Sequence, residues 1–333
     1  MNSFERYMGI LQGEAVDFLP RLPILMRFAA EYIGSNYGAF AADYQVLVEA
    51  NRRCAEDFGM DQMSAISDPY RETQGFGAEI IYPEDSVPKC SHYPLEAGKD
   101  LSVLKHPDPY QSERMLDRVN AIRSFKGQFE GQYSIMGWVE GPAAEAADLR
   151  GVANFMVDLI EDKPFAGHLM DLCVDTGIEF AKAQIEAGAD TIGIGDAVAS
   201  QVSPRVYNKL IQPREKRLIT AIKEMGVFVR LHICGNITHL LSGISELPID
   251  ILDADHMVDM ATVRKIVGTG VVLAGNIDPV GGVLQGTPES IKQTLLEIYK
   301  QVGNPYMVTA GCEIPSGTPE DNLKALCEAI PFL

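Results

Sequence analysis

The sequence predicts an α/β fold in which one (β/α)8 barrel takes up residues 1–333 as a single domain. Two observations carry this. Short apolar, β-branched runs alternate with longer amphipathic stretches, the pattern of repeated βα units on a parallel sheet. The side chains able to do chemistry fall mostly at the ends of those short runs, the end of a barrel where active sites are built. The runs are 22–27 (LPILMR), 62–66 (QMSAI), 133–139 (YSIMGWV), 191–195 (TIGIG), 228–234 (FVRLHIC), 251–256 (ILDADH), 271–277 (VVLAGNI) and 306–312 (YMVTAGC).

Between them the spacing predicts helices over 151–162, 166–187, 205–225, 260–267 and 288–301. The last shows its own boundaries: Thr287 can cap, Pro288 fits a first turn, Glu289 suits the positive end of the dipole and Gly303 can end the helix. No low-complexity tract or Pro/Ser-rich linker divides the chain. Segment 70–115, rich in Pro, Tyr and Glu, is too long for a plain βα connection and is expected to form a lid or hairpin over the barrel mouth.

Composition narrows the partners. With 46 acidic against 28 basic residues the formal charge is −18, which repels a phosphate backbone and an anionic membrane surface. Neither nucleic acid nor a membrane is an expected partner. The first residues carry Glu5, Arg6, Glu14 and Asp17, so they lack the apolar core of a signal peptide, and no apolar run is long enough to span a bilayer. A soluble, cytoplasmic protein follows, with its six cysteines as free thiols or ligands. Cys54, Cys173 and Cys327 lie in helix-like stretches and read as small buried hydrophobes. Self-association into a homodimer is left open.

The sharpest local signal is LHICGN. His232 and Cys234, two apart on a strand, point to the same side, so an imidazole and a thiolate can converge on one ion. Cys312, closing the eighth run in VTAGCEIP, can complete a ligand set for zinc with the fourth position open to substrate. His239 is a rival ligand, although THLLSG reads as helix, and His256 could bind substrate or be structural. Glu140 and Glu145 follow the third run; either could be a fourth ligand or a general base. Asp68 and Asp196 each end a run and can accept a proton or bind a polar group, with helix capping as the competing explanation. Asp255, Asn276 and Asp278, at further run ends, are candidates for cofactor binding. GIGD and GTGVVLAG lack the GxGxxG spacing of a dinucleotide site, and the chain has neither a Walker lysine nor a GxSxG elbow.

These residues resemble the uroporphyrinogen decarboxylase superfamily over nearly the whole chain, through LPILMRFAAEYIG, SDPYRETQGFGAEIIYPE, LAGNIDP and AGCEIPSGTPEDNLKAL. The resemblance implies the same barrel. Departures select the branch: a decarboxylase has an arginine-rich MRQAGRY-type segment, whereas MRFAAEY keeps Arg27 and places Glu31 where a second arginine is expected. Cys312 stands where decarboxylases carry a His, and LHICGN is foreign to them. The HxC…C arrangement is similar to that of the zinc- and corrinoid-dependent methyltransferases. That branch moves methyl groups between a corrinoid (cobalamin) protein and a small methylated or thiol substrate such as coenzyme M. Since no DxHxxG cobalamin motif occurs here, the corrinoid would be carried by a partner protein, docking over 70–115 with a basic rim against this acidic surface. Because AGCEIPSGTP differs from the CGIAP form of coenzyme M enzymes, the resemblance tilts toward demethylation of a methylated donor. A decarboxylase-like activity and a non-catalytic metal or corrinoid binder are the alternatives.

Overall fold

Seven parallel strands form the barrel wall in a computed structural model that describes residues 1–333. They are β1 (Gln62–Ser64), β4 (Ser134–Glu140), β5 (Thr191–Gly195), β6 (Phe228–Ile233), β7 (Ile251–Ala254), β8 (Val272–Ala274) and β9 (Tyr306–Met307), in the order β1-β4-β5-β6-β7-β8-β9. The remaining two, β2 (Glu79–Ile81) and β3 (Lys89–His92), make a separate antiparallel hairpin.

The eighth position is filled without a regular strand. Arg21 bridges Val308 in parallel, Leu22 N donates to Val308 O at 2.8 Å, and Asp61 N donates to Arg21 O at 2.9 Å, so the extended segment from Pro20 sits between β9 and β1. The predicted strand 22–27 is corrected accordingly. Pro23 has no N–H for a ladder, and Arg27 already begins the helix Arg27–Tyr32. The run 306–312 is likewise shorter as a strand, yet Ala310 still bridges Ile277 and Gly311 N donates to Ile277 O at 2.8 Å, so the backbone stays on course to Cys312.

Strands buried on both faces read as apolar runs, and all five residues of β5 are buried. Helices cover the outside: Val152–Glu161, Lys163–Ala187, Met260–Val267 and Pro288–Val302 fall where the spacing places them. Thr287 caps the last of these, accepting from Ser290 N at 3.2 Å. The predicted 205–225 helix is interrupted by a π-helical stretch at Tyr207–Ile211 before Gln212–Glu224. The N-terminal helix Ser3–Leu11 closes the bottom of the barrel, where the Tyr7 hydroxyl meets Thr191 Oγ1 at 2.9 Å. Segment 70–115 carries the helix Arg71–Phe76 and the β2–β3 hairpin, whose connection brings Val87 into the wall of the mouth cavity. No helix is long and apolar enough to cross a membrane.

Candidate metal centre at the barrel mouth

Register decides which side chains meet inside the barrel. Glu140 pairs with Gly195, Gly195 with His232 and His232 with Asp253, so one row crosses β4 to β7. A row below, Trp138 pairs with Gly193 and Gly193 with Arg230. Side chains two apart share a face, so Trp138 with Glu140, and Arg230 with His232, point the same way. The indole lies across β5: a Cβ on Gly193 would stand 2.2 Å from Trp138 Cε3, and one on Gly195 would stand 2.9 Å from Cζ2. The glycines of TIGIG therefore make room for a ring that walls the cavity.

His232, Cys234 and Cys312 do converge. Their ligating atoms all lie within 4.8 Å of one another, with His232 Nε2 3.0 Å from Cys234 Sγ and the two sulfurs 3.8 Å apart. Two sulfurs each about 2.3 Å from one tetrahedral ion stand roughly 3.8 Å from each other, so the spacing fits zinc. Two glycines bring the loops together. Gly235, at φ +90°, turns the chain sharply after Cys234, its N–H held by Asp255 Oδ2 at 2.8 Å. Gly311 packs so tightly on the next loop that a Cβ would meet His256 N at 2.3 Å.

The charges suit an ion as well. A hydrogen bond from Cys234 draws the Cys312 thiol down to about 4, helped by His232 and opposed by burial. Cys234 is pushed up by serving as that donor and by burial. Burial opposes a charged His232, but Cys234 and Asp253 together raise it well above its usual value. These shifts place negative charge on the sulfurs beside a positively biased imidazole, and a bound divalent cation would displace protons from the set. Behind His232, Asp253 Oδ2 lies 3.5 Å from Nδ1 and also pairs with the buried Arg230, the carboxylate–histidine arrangement that orients a metal ligand.

The centre opens into a cavity of about 190 Å³ walled by Ile24, Met26, Tyr37, Ile66, Pro69, Val87 and Trp138, with Asp68, Glu140 and Glu313 as its acids. Glu140 Oε1 accepts from Arg71 Nη2 at 2.5 Å and from Trp138 Nε1 at 3.2 Å, while Oε2 has no protein donor. Burial, opposed by Arg71 and reinforced by Glu72 and Asp148, raises the Glu140 carboxyl well above its ordinary range. Burial alone would raise Asp68, but Arg114 and Arg71 outweigh it and hold the carboxyl low.

Other candidates take framework roles. Asp196 is fully buried outside the cavity and accepts from Ala144 N at 2.7 Å and Ala143 N at 3.3 Å, so it caps the helix Pro142–Arg150 instead of facing substrate. Glu145 is buried against Thr73 Oγ1 at 3.1 Å and takes no part in the metal cluster. Asp255 holds the Gly235 turn and Met257 N; the Asn276 amide donates to Asp255 O and Val258 O; Asp278 accepts from Val280 N. None of these three lines the cavity. His239 is spent on Val202 O at 3.0 Å and His256 on Asp255 at 2.9 Å. Sequence reasoning passed over Arg230 and Asp253, although Arg230, His232 and Cys234 form one alternating set. Glu313, next to Cys312 in the sequence, lines the cavity as well.

A parallel barrel with a His–Cys–Cys cluster at the C-terminal ends of its strands places the chain among barrel proteins built to do chemistry at the mouth, with a ligand set there that could hold a metal. The profile of the family described as Uroporphyrinogen decarboxylase (URO-D) matches residues 2–331. The chain belongs to that family. Among its relatives, the methylcobamide:CoM methyltransferase MtbA of Methanosarcina acetivorans is 33% identical over 332 residues, covering 97% of this chain and 96% of the relative. MtbA of Methanosarcina mazei is 29% identical over 335 residues with the same coverage, and the uroporphyrinogen decarboxylase of Microcystis aeruginosa is 24% identical over 338 residues, 96% of this chain and 95% of its own. A solved methyltransferase from Methanosarcina mazei superposes with a TM-score of 0.90 at 24% identity over 98% of this chain and 97% of that one. A B12-independent methionine synthase from Shewanella superposes at 0.60 and 15% identity, over 94% of this chain and 96% of that one. Both share the fold.

Proposed function

We propose that this protein is a zinc- and corrinoid-dependent methyltransferase, in which His232, Cys234 and Cys312 hold the metal and a separate corrinoid protein docks at the barrel mouth. The observation that carries this reading is the convergence of those three ligating atoms at the edge of a small apolar cavity. The methyltransferase names of the relatives at 29–33% identity support it. The cavity, about 190 Å³, is of a size to take a small methylated compound or thiol. That, with three acids on the wall, weighs against decarboxylation of a polycarboxylate.

When bound, zinc would act as a Lewis acid, easing a thiol into its thiolate form or polarising the heteroatom of a methyl donor. The chain's own residues supply the remainder. Ile24, Met26, Ile66, Pro69, Val87 and Trp138 exclude water from the reacting methyl group. Glu140, anchored through Oε1 by Arg71 and Trp138, presents Oε2 to accept the proton shed by a thiol or to give one to a departing oxygen. No carboxylate belongs to the metal cluster, which leaves the fourth coordination position to the substrate.

Metal content by mass spectrometry tests the centre first. Near-stoichiometric zinc is expected in the wild type and its loss in Cys234→Ser and Cys312→Ser. The wild type should then move methyl groups between a cobalamin and a thiol or methyl ether. A carefully prepared wild type free of zinc would refute the reading, and so would zinc without turnover, which marks a binding protein.

A further inference from the structure

The walls of the mouth cavity offer a substrate almost no positive charge. Asp68, Glu140 and Glu313 line it, whereas no Lys or Arg does, and the single histidine is the metal-ligating His232. The nearby guanidinium groups are sealed behind the wall: Arg71 is fully buried and given to Glu140, and Arg114 is nearly so and given to Asp68. Arg27 lies outside, paired with Glu31 at 2.8 Å. The two polar aromatic groups are committed as well. Trp138 Nε1 donates to Glu140 at 3.2 Å, and the Tyr37 hydroxyl donates to Ser67 O at 2.6 Å. What remains is apolar surface and three carboxyl groups, with no cationic side chain among them.

Resting on the methyl-transfer reading, we infer that the small substrate of this site is uncharged or cationic at its non-reacting end and carries no anionic group. A sulfonate or carboxylate two carbons from the reacting atom would sit within this cavity beside three acidic side chains and meet no Lys or Arg. An anion set beside acids with no cation to compensate it is disfavoured against a neutral ligand of the same shape. A neutral or ammonium-bearing molecule meets apolar side chains on one side and accepting oxygens on the other. The relatives named for CoM, a thiol ending in a sulfonate, would therefore differ from this chain in substrate.

Three thiols of one length decide the matter: 2-mercaptoethanesulfonate, propane-1-thiol and 2-aminoethanethiol. Each is titrated calorimetrically into the zinc-loaded protein, with affinities corrected for the thiol's own ionisation. The sulfonate is expected to bind at least about tenfold more weakly than both others. Sulfonate binding equal to or tighter than that of propane-1-thiol overturns the inference and leaves the methyltransferase reading standing. Failure of all three to bind removes that reading and the inference together. A gain-of-function variant gives a second measurement. Val87 is 44% exposed on the hairpin connection at the cavity edge, so Val87→Lys places an ammonium there without disturbing the core. It should raise sulfonate affinity several-fold over wild type with propane-1-thiol unchanged; no gain for the sulfonate would count against the charge argument.

Discussion

Substituting Gly193 by Ala should disturb one named ring and be visible through it. The added Cβ would lie 2.2 Å from Trp138 Cε3 and 2.4 Å from Cζ3. Carbons in contact settle at about 3.5–4.0 Å, so the indole has to retreat by roughly 1.5 Å or the strand has to bend. Gly193 pairs with both Trp138 and Arg230 in the ladder, which holds the backbone and leaves the ring to move. Overpacking of this kind costs about 1–3 kcal/mol. Trp138 is the chain's single tryptophan, so the intrinsic emission belongs to it alone. The expected result is an altered emission maximum, a urea midpoint lowered in line with that cost, and unchanged zinc content, since the metal-ligating residues lie elsewhere. Placed in a Trp138→Leu background, the same alanine should cost much less, giving a coupling energy of at least about 0.5 kcal/mol. Wild-type emission and stability in Gly193→Ala would show that the ring does not lie over β5, and the cavity wall drawn here would be wrong.

Two further outcomes follow from the layers around the site. Asp253→Asn removes the carboxylate behind His232 Nδ1 and should weaken zinc binding about 10–100-fold in competition with a chelator; unchanged affinity in a folded variant would deny that orienting role. Burial raises the Asp196 carboxyl to about 7 from 3.8. A carboxyl raised in the folded state lets the native protein hold more protons than the unfolded chain, so its contribution is fully present below about 3.8 and lost as pH rises through about 7. Asp196→Asn should flatten the fall in stability between those values by up to about 1 kcal/mol per pH unit, read from urea unfolding across pH; parallel curves for the two proteins would refute it.

The convergence of His232, Cys234 and Cys312 was legible in the sequence because each rests on a local rule. Alternation along a strand puts His232 and Cys234 on one side, and the barrel's habit of gathering chemistry at strand ends adds Cys312. Glu140 was legible for the same reason. The misplaced residues failed where local pattern gives two answers: an acid ending a strand looks alike whether it faces substrate or caps a neighbouring helix, and only the packing of Pro142–Arg150 against the turn Ala197–Gln201 after β5 sends Asp196 to the second. Asp253 and Arg230 were hidden because their importance lies in cross-strand register, a relation between segments 21 or more residues apart. The glycines of TIGIG gave no sign of a buried indole, since the space a missing Cβ leaves is defined by a side chain on another strand.

The closing seam of the barrel also sets an order of events on the ribosome. Arg21 and Leu22 are made early and wait for Val308, and Leu19 N donates to Ile330 O at 2.9 Å, so the wall cannot shut until the last strand has emerged. Cys312 belongs to that same late segment, 78 residues after Cys234. A nascent or truncated chain that stops short of it presents His232 and Cys234 as a two-point grip with β1 and β8 unpaired at their open edges. Under the proposed metal binding, capture with the full ligand set would be tied to completion of the wall, and an incomplete chain would hold the ion weakly.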